Sequence, residues 1–182
     1  MRGRATVGCV VADSSLVIVR TERLVIRTFC VDDAERLHRY RNEPDVAQYQ
    51  GWTTPYPLDD ARNLAEAMAA QDPFLLGTWT QLAIAHATDP DHHLIGDIAV
   101  RMEAEEPTAE VGFSLDPQYW GQGIVAEGLT AVVDHLFGTL ALARVVAFTD
   151  ANNERAHRTL ERAGLRFITT DGDDLVYYRR AD

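Results

Sequence analysis

Apolar positions along the chain recur with two different periods. After Gly123 the stripe Val125, Leu129, Val132, Val133 and Leu136 repeats at i, i+4, i+7, i+8 and i+11, which predicts a helix with one face on a core. Ala61, Leu64, Ala65 and Met68 mark the buried side of another helix, from Asp59 to Gln71. Asp32 with Glu35 three residues later reads as a capping box that opens a helix to about Arg41, and Pro44 stops its continuation. Glu154 to Ala163 forms a short helix closed by Gly164. Shorter β-branched runs predict strands at Leu24 to Phe29, Gln81 to His86, Leu94 to Met102, Glu110 to Leu115 and Arg144 to Thr149. A closing hairpin, Leu165 to Thr170 with Leu175 to Arg179, turns at Asp171-Gly172. Thr88-Asp89-Pro90-Asp91 predicts the turn of an earlier hairpin.

Two stretches escape both periods and therefore suggest binding. Gln48 to Pro57 carries prolines, Trp52 and Tyr56 without periodicity. Aromatic side chains in a loop must pack or bind, so Trp52 and Tyr56 are candidates for a substrate pocket. The other stretch is Gln118-Tyr119-Trp120-Gly121-Gln122-Gly123, between a predicted strand and a predicted helix. Gly121 and Gly123 permit a tight turn, and the first N–H groups of the following helix have no partner within it, so the segment forms an anion cradle. A nucleotide loop of the Gly-Lys-Ser/Thr kind is excluded, because Ile124-Val125-Ala126 follows Gly123. A dinucleotide fingerprint is disfavoured as well, since Asp134 comes too early to serve as the ribose acid.

The cradle sits within a series of motifs in a definite order. Ala109-Glu110-Val111-Gly112-Phe113 precedes it, and Asn153-x-x-Ala156-x-x-x-Leu160-Glu161-Arg162-Ala163-Gly164-Leu165 follows it. Together they resemble the GNAT superfamily of acyl-CoA-dependent N-acetyltransferases, most closely its branch of ribosomal-protein N-terminal acetyltransferases. The likeness runs from about Thr21 to Arg180, as one domain after an N-terminal extension of residues 1–20. It implies an α/β (α+β) fold with a mixed, mostly antiparallel sheet of six to seven strands and about four helices, splayed between the fourth and fifth predicted strands.

The resemblance also implies a donor, acetyl-CoA, and a direct transfer of its acetyl group to a primary amine. Backbone groups of Val111, Phe113, Ser114 and Leu115 would pair with the pantetheine arm. The amides of Gly121, Gln122, Gly123 and Ile124, with Val125 behind them, would take the pyrophosphate. Gln118 would bond the loop or the cofactor, and Asn153 would contact the cofactor or cap its helix. An amine with a pKa of about 10 is protonated at neutral pH and needs a base. Glu110, which in some relatives serves in that role, is the candidate, with a surface or salt-bridged glutamate as the alternative. Relatives often place a serine or a tyrosine as general acid where this chain has Ala156 and Glu161, so the acid is unassigned. A non-catalytic acyl-CoA sensor is the alternative function. The resemblance suggests a homodimer.

Composition narrows the rest. With 182 residues, 46% of them apolar, the chain can bury one core. Two cysteines, Cys9 and Cys30, support neither a disulfide framework nor a covalent intermediate, and the expected compartment is the cytoplasm. The apolar run Val7 to Ala12 is broken by Asp13 after six residues, short of a signal core (roughly 7–15) or a membrane span (about 20). A formal charge of −11 disfavours nucleic acid and anionic membranes and favours cationic partners such as peptide N-termini, polyamines or aminoglycosides. His86, His92 and His93 flank a turn but do not form a ligand set, and no metal is expected.

Overall fold

A computed structural model of the chain describes residues 16–181; Cys9 and the apolar run at Val7 to Ala12 lie outside the described residues. The elements are β1 (Val17–Arg20), β2 (Leu24–Thr28), α1 (Ala34–Arg41), α2 (Pro44–Ala47), α3 (Leu58–Ala70), β3 (Trp79–His86), β4 (Gly96–Met102), β5 (Thr108–Leu115), α4 (Ile124–Leu140), β6 (Arg144–Asp150), α5 (Glu154–Arg162), β7 (Arg166–Asp171) and β8 (Asp174–Arg180). All eight strands form one sheet in the order β1-β2-β3-β4-β5-β6-β8-β7. Every pairing is antiparallel except β5 with β6.

The predicted elements occur, with one strand and one helix more than the upper expectation. The extra strand is β1, within the segment read as an extension, where Val17–Arg20 pair with β2 at the sheet edge. The extra helix is α2. Pro44 ends α1 as expected and then occupies the first turn of α2, where a missing N–H costs nothing. The capping box is displaced too. Asp33 stands at the end of a 3-10 turn, Val31–Asp33, and its carboxylate accepts the Cys30 backbone N–H at 2.8 Å.

Two apolar cores flank the sheet. On one face α4 lays Leu129, Val132, Val133 and Leu136 against Leu24, Ile26, Ile98 and Val111. On the other, α1 and α3 bury Leu37, Tyr40, Ala61 and Ala65 with Phe29, Ala83 and Leu94. Several polar groups inside the second layer are paired. Arg27, 1% exposed, meets Asp33 through two N–H···O contacts of 2.7 and 2.8 Å and also donates to the His92 carbonyl. Buried Asp97 accepts the Tyr40 hydroxyl at 2.5 Å and the Ser114 hydroxyl at 2.6 Å, which ties β4 and β5 to α1. Burial first, and then the Asp97 carboxylate, hold the Tyr40 hydroxyl well above its ordinary pKa, so it remains a donor.

The sheet divides at one place. β5 follows β4 along its length, from Met102↔Ala109 to Gly96↔Leu115, and β6 follows β8 from Arg144↔Arg180 to Asp150↔Asp174. β5 and β6 share only Thr108↔Arg144, Ala109↔Val145 and Glu110↔Val146 before they part. This is the expected splay.

Candidate active site

The gap beyond Glu110 and Val146 opens into a cleft of about 840 Å³. One wall is β5 and the turn into α4, the opposite wall is the β6–α5 loop with α5, and the segment after α2 crosses between them. In a strand the N–H and C=O of one residue point to the same side, alternating with the next. The Phe113 carbonyl accepts the Gln50 side-chain amide at 3.3 Å rather than a strand neighbour. Phe113, and by alternation Val111, therefore present backbone polar groups to the gap.

The glycine turn takes its shape from Asp116. Its carboxylate accepts the Gln118 backbone N–H at 3.2 Å, the Gln118 side-chain amide at 2.8 Å and Arg39 at 2.6 Å. Burial alone would push the Asp116 carboxyl up, but the bonds from Arg39 and Gln118 outweigh it and hold its pKa below the usual carboxylate value. Trp120 fixes the next position by donating to the Leu115 carbonyl at 2.9 Å. Gly121 and Gly123 then adopt φ of +75° and +74°, values that disfavour any side chain. Glu127 is the first residue whose N–H turns back, onto the Gly123 carbonyl. The N–H groups of Ile124, Val125 and Ala126 are left without helical acceptors at the positive end of α4. Arg23 braces the turn, donating to the Gln122 carbonyl at 3.1 Å and pairing with Glu127 at 2.5 Å.

Glu110 stands at the fork itself. It is the last β5 residue paired with β6, its side chain is 22% exposed, and Arg101 on β4 meets it at 2.8 Å. Burial is the largest influence and raises its pKa above the ordinary glutamate value; Arg101 pulls the other way and Glu103 adds to the rise. The result is a carboxylate that accepts a proton more readily than a solvated one.

The sequence candidates separate into three groups. Phe113, Ser114 and Leu115 line the cleft along β5, and Gly121, Gly123, Ile124, Val125 and Asn153 line it elsewhere. Asn153 also caps α5, its side-chain oxygen accepting the Ala156 N–H at 3.2 Å. Val111 is buried in the α4 core, Gln118 is bonded to Asp116, and the Gln122 side chain bonds the Gln118 carbonyl at 3.4 Å; none of the three lines the cleft. Trp52 and Tyr56 are placed differently from the expectation of an acceptor pocket. Tyr56 is 8% exposed and packs in the α1–α3 core. Trp52 borders a separate hollow of about 390 Å³ beside Asp45 and Gln48. Both rings pack against the Arg41 guanidinium, at 4.2 and 5.1 Å from their centroids, and the Trp52 N–H is spent on the Arg41 carbonyl. A buried cation in need of π faces accounts for these aromatics.

The histidines near the β3–β4 turn do not converge. His93 pairs with Asp89 at 2.8 Å, whereas His92 bonds the His86 carbonyl and the His86 ring meets Tyr119 edge-on. Asp89, Asp91 and His93 do bring ligand atoms together, but Asp89 is already occupied by the N–H groups of Asp91 and His93. Sequence reasoning missed Tyr49, Gln50 and the α5 arginines Arg155, Arg158 and Arg162. All of them line the cleft. The Tyr49 hydroxyl spans it, donating to the Asn152 carbonyl at 3.4 Å and accepting from Gln48 at 3.1 Å.

Among the described residues no helix is long and apolar enough to cross a membrane. The family model described as "Acetyltransferase (GNAT) domain" matches residues 23–166. An uncharacterized N-acetyltransferase, p20, of Bacillus licheniformis is 30% identical over 135 residues, 73% of this chain and 73% of its own. The ribosomal-protein-serine acetyltransferase of Escherichia coli K12 is 30% identical over 100 residues, 50% of this chain and 56% of its own. Among solved structures, Mycobacterium smegmatis RimJ in complex with CoA-disulfide shares the fold with a TM-score of 0.71 at 18% identity, covering 87% of this chain and 82% of that one. A splayed sheet, a glycine cradle at the start of α4 and these relatives agree: the chain belongs to the GNAT acetyltransferase family.

Proposed function

We propose that this acetyltransferase moves the acetyl group of acetyl-CoA directly to a primary amine, with Glu110 as the base. The observation that carries the reading is a half-buried carboxylate of raised pKa at the point where β5 and β6 part, next to an unpaired strand edge. The Val111 carbonyl and the Phe113 N–H, on the β5 edge where its pairing with β6 ends, suit the amide-bearing pantetheine arm, and the α4 N-terminus suits the pyrophosphate. Glu110 takes the ammonium proton, directly or through water. The neutral amine nitrogen then attacks the thioester carbon and a β5 N–H steadies the oxyanion; as the C–S bond breaks, the nitrogen releases its second proton to solvent and the departing thiolate takes up one.

A donor for that last proton is assigned by elimination. Ala156 carries none. Of the cleft hydroxyls, Ser114 is committed to Asp97 at 2.6 Å and Thr159 to the Arg155 carbonyl at 2.9 Å, while Tyr119 packs against His86 and the core. Tyr49, whose hydroxyl spends its proton only on a long 3.4 Å bond to the Asn152 carbonyl, is the donor we favour.

The acceptor is an amine-bearing peptide N-terminus or a small amine, attracted by a chain of formal charge −11. Release of free CoA thiol, followed with a panel of N-terminal peptides, polyamines and aminoglycosides, tests the reading. Amine-dependent release from at least one class is expected. Saturable acetyl-CoA binding with no release from any of them would instead support a sensor.

A further inference from the structure

Helix α5 turns Arg155, Arg158 and Arg162 toward the cleft. Their i, i+3, i+7 spacing sets them in one stripe. In a chain with 28 acidic and 17 basic residues, arginines usually find carboxylates close by. Among the described residues, neither Arg155 nor Arg162 has a carboxylate in salt-bridge contact, and Arg158 has only the exposed Glu154, at 3.5 Å. Asp45 and Glu154 are the carboxylates that line the cleft, and Glu154 is the one already facing Arg158.

The stripe has two ends with different surroundings. Arg155 lies over the Trp120 ring, 4.2 Å from its centroid, and that ring is pinned beside Gly121 by its bond to Leu115. Stacking occupies the flat face of a guanidinium and leaves its N–H edge free. Arg162 stands about 10 Å further along the helix axis, two turns from the glycine cradle. The cleft thus offers positive charge at two stations, one at the turn and one further out along α5.

Coenzyme A carries phosphate at two stations as well, a pyrophosphate and a 3′-monoester. Resting on the acetyl-CoA reading above, we infer that Arg158 and Arg162 form a subsite for the 3′-phosphate, with Arg155 completing the pyrophosphate site. The planar guanidinium fork matches the oxygens of a phosphate monoester, which two such groups can hold at once. The 3′-phosphate then becomes a determinant of donor specificity, set by residues of α5 that touch no reacting atom.

Calorimetric titration of the full chain with CoA and with 3′-dephospho-CoA tests this. The unaltered chain is expected to prefer CoA by roughly ten- to a hundredfold, and the preference should shrink as salt is raised. The Arg158→Gln/Arg162→Gln pair should bring the two ligands to near parity while leaving affinity for 3′-dephospho-CoA unchanged, and Arg162→Lys should retain part of the preference. Arg155→Gln should weaken both ligands alike. Equal affinity of the unaltered chain for both ligands, or an equal loss for both in the double variant, would overturn the subsite and leave the acetyl-CoA reading standing. Binding of neither ligand would remove that reading and the subsite with it.

Discussion

The two halves of the sheet are built to different standards. Strands β1–β5 carry helices on both faces, α4 on one and α1 with α3 on the other, and several inner polar groups are locked together, Arg27 with Asp33 and Asp97 with Tyr40 and Ser114. Strands β6, β8 and β7 are covered by α4 and α5 on one face only. Phe148 and Ile168 are 45% and 49% exposed, and every residue of β7 is exposed. The seam between the halves is three residue pairs long. The contrast shows how a cleft can stay open in a packed domain: the stiff half fixes β5, the strand that carries Glu110, while the lighter half needs no contact with it beyond Val146.

The sharpest way to break this comparison is at the seam. Replacing the proposed base by its uncharged isostere, Glu110→Gln, should lower kcat roughly 10²- to 10⁴-fold with little change in acetyl-CoA affinity, measured by steady-state kinetics beside calorimetry. An unchanged pH–rate profile would remove Glu110 from the mechanism. Next comes the lock of the stiff half. Asp33→Ala leaves the Arg27 guanidinium buried without its carboxylate, a change that typically costs about 3–5 kcal/mol. Urea unfolding should show that loss; one below about 1 kcal/mol would mean the pair behaves like a surface contact.

How much of this was legible in sequence follows the same division between local and cross-strand information. The glycine turn, the α4 stripe and the closing hairpin were readable because φ preference and periodicity are local properties. The splay came only through family resemblance, since a seam of three pairs leaves no mark on a pattern of alternation. Glu110 was readable as a candidate, but Arg101, which tunes it, was not, because their contact depends on the β4–β5 register. For Trp52 and Tyr56 the sequence leaves packing and pocket binding both open, because nothing local reveals that Arg41 lies against their faces. Arg155, Arg158 and Arg162 are evenly spaced in the sequence, yet without the cleft they look like a solvated helix face.

The remaining two tests probe smaller effects. The carboxyl of Glu110 has a raised pKa, so activity requiring its charged form is absent at low pH and appears as pH rises through that value. Arg101 favours the charged form, and Arg101→Gln should therefore move the acid limb of kcat/KM to still higher pH. A limb that stays in place or moves down would show that Arg101 does not govern the base.

The smallest effect is expected on the free face of the light half. Phe148 projects from β6 on the side that no helix covers, paired with Val176 across the sheet. A side chain already in water in the native state loses little when it is shortened, so Phe148→Thr should change unfolding free energy by no more than about 0.5 kcal/mol. The homodimer suggested by the resemblance would use this face if a second copy covers the exposed Phe148 and Ile168. In that case burial between copies would make the substitution cost more, and thermal stability would rise with protein concentration by mass action. Thermal unfolding of both forms over a hundredfold range of concentration separates the two situations. A small, concentration-independent difference assigns Phe148 to solvent, whereas a larger one that grows with concentration shows that the light half is completed by a partner.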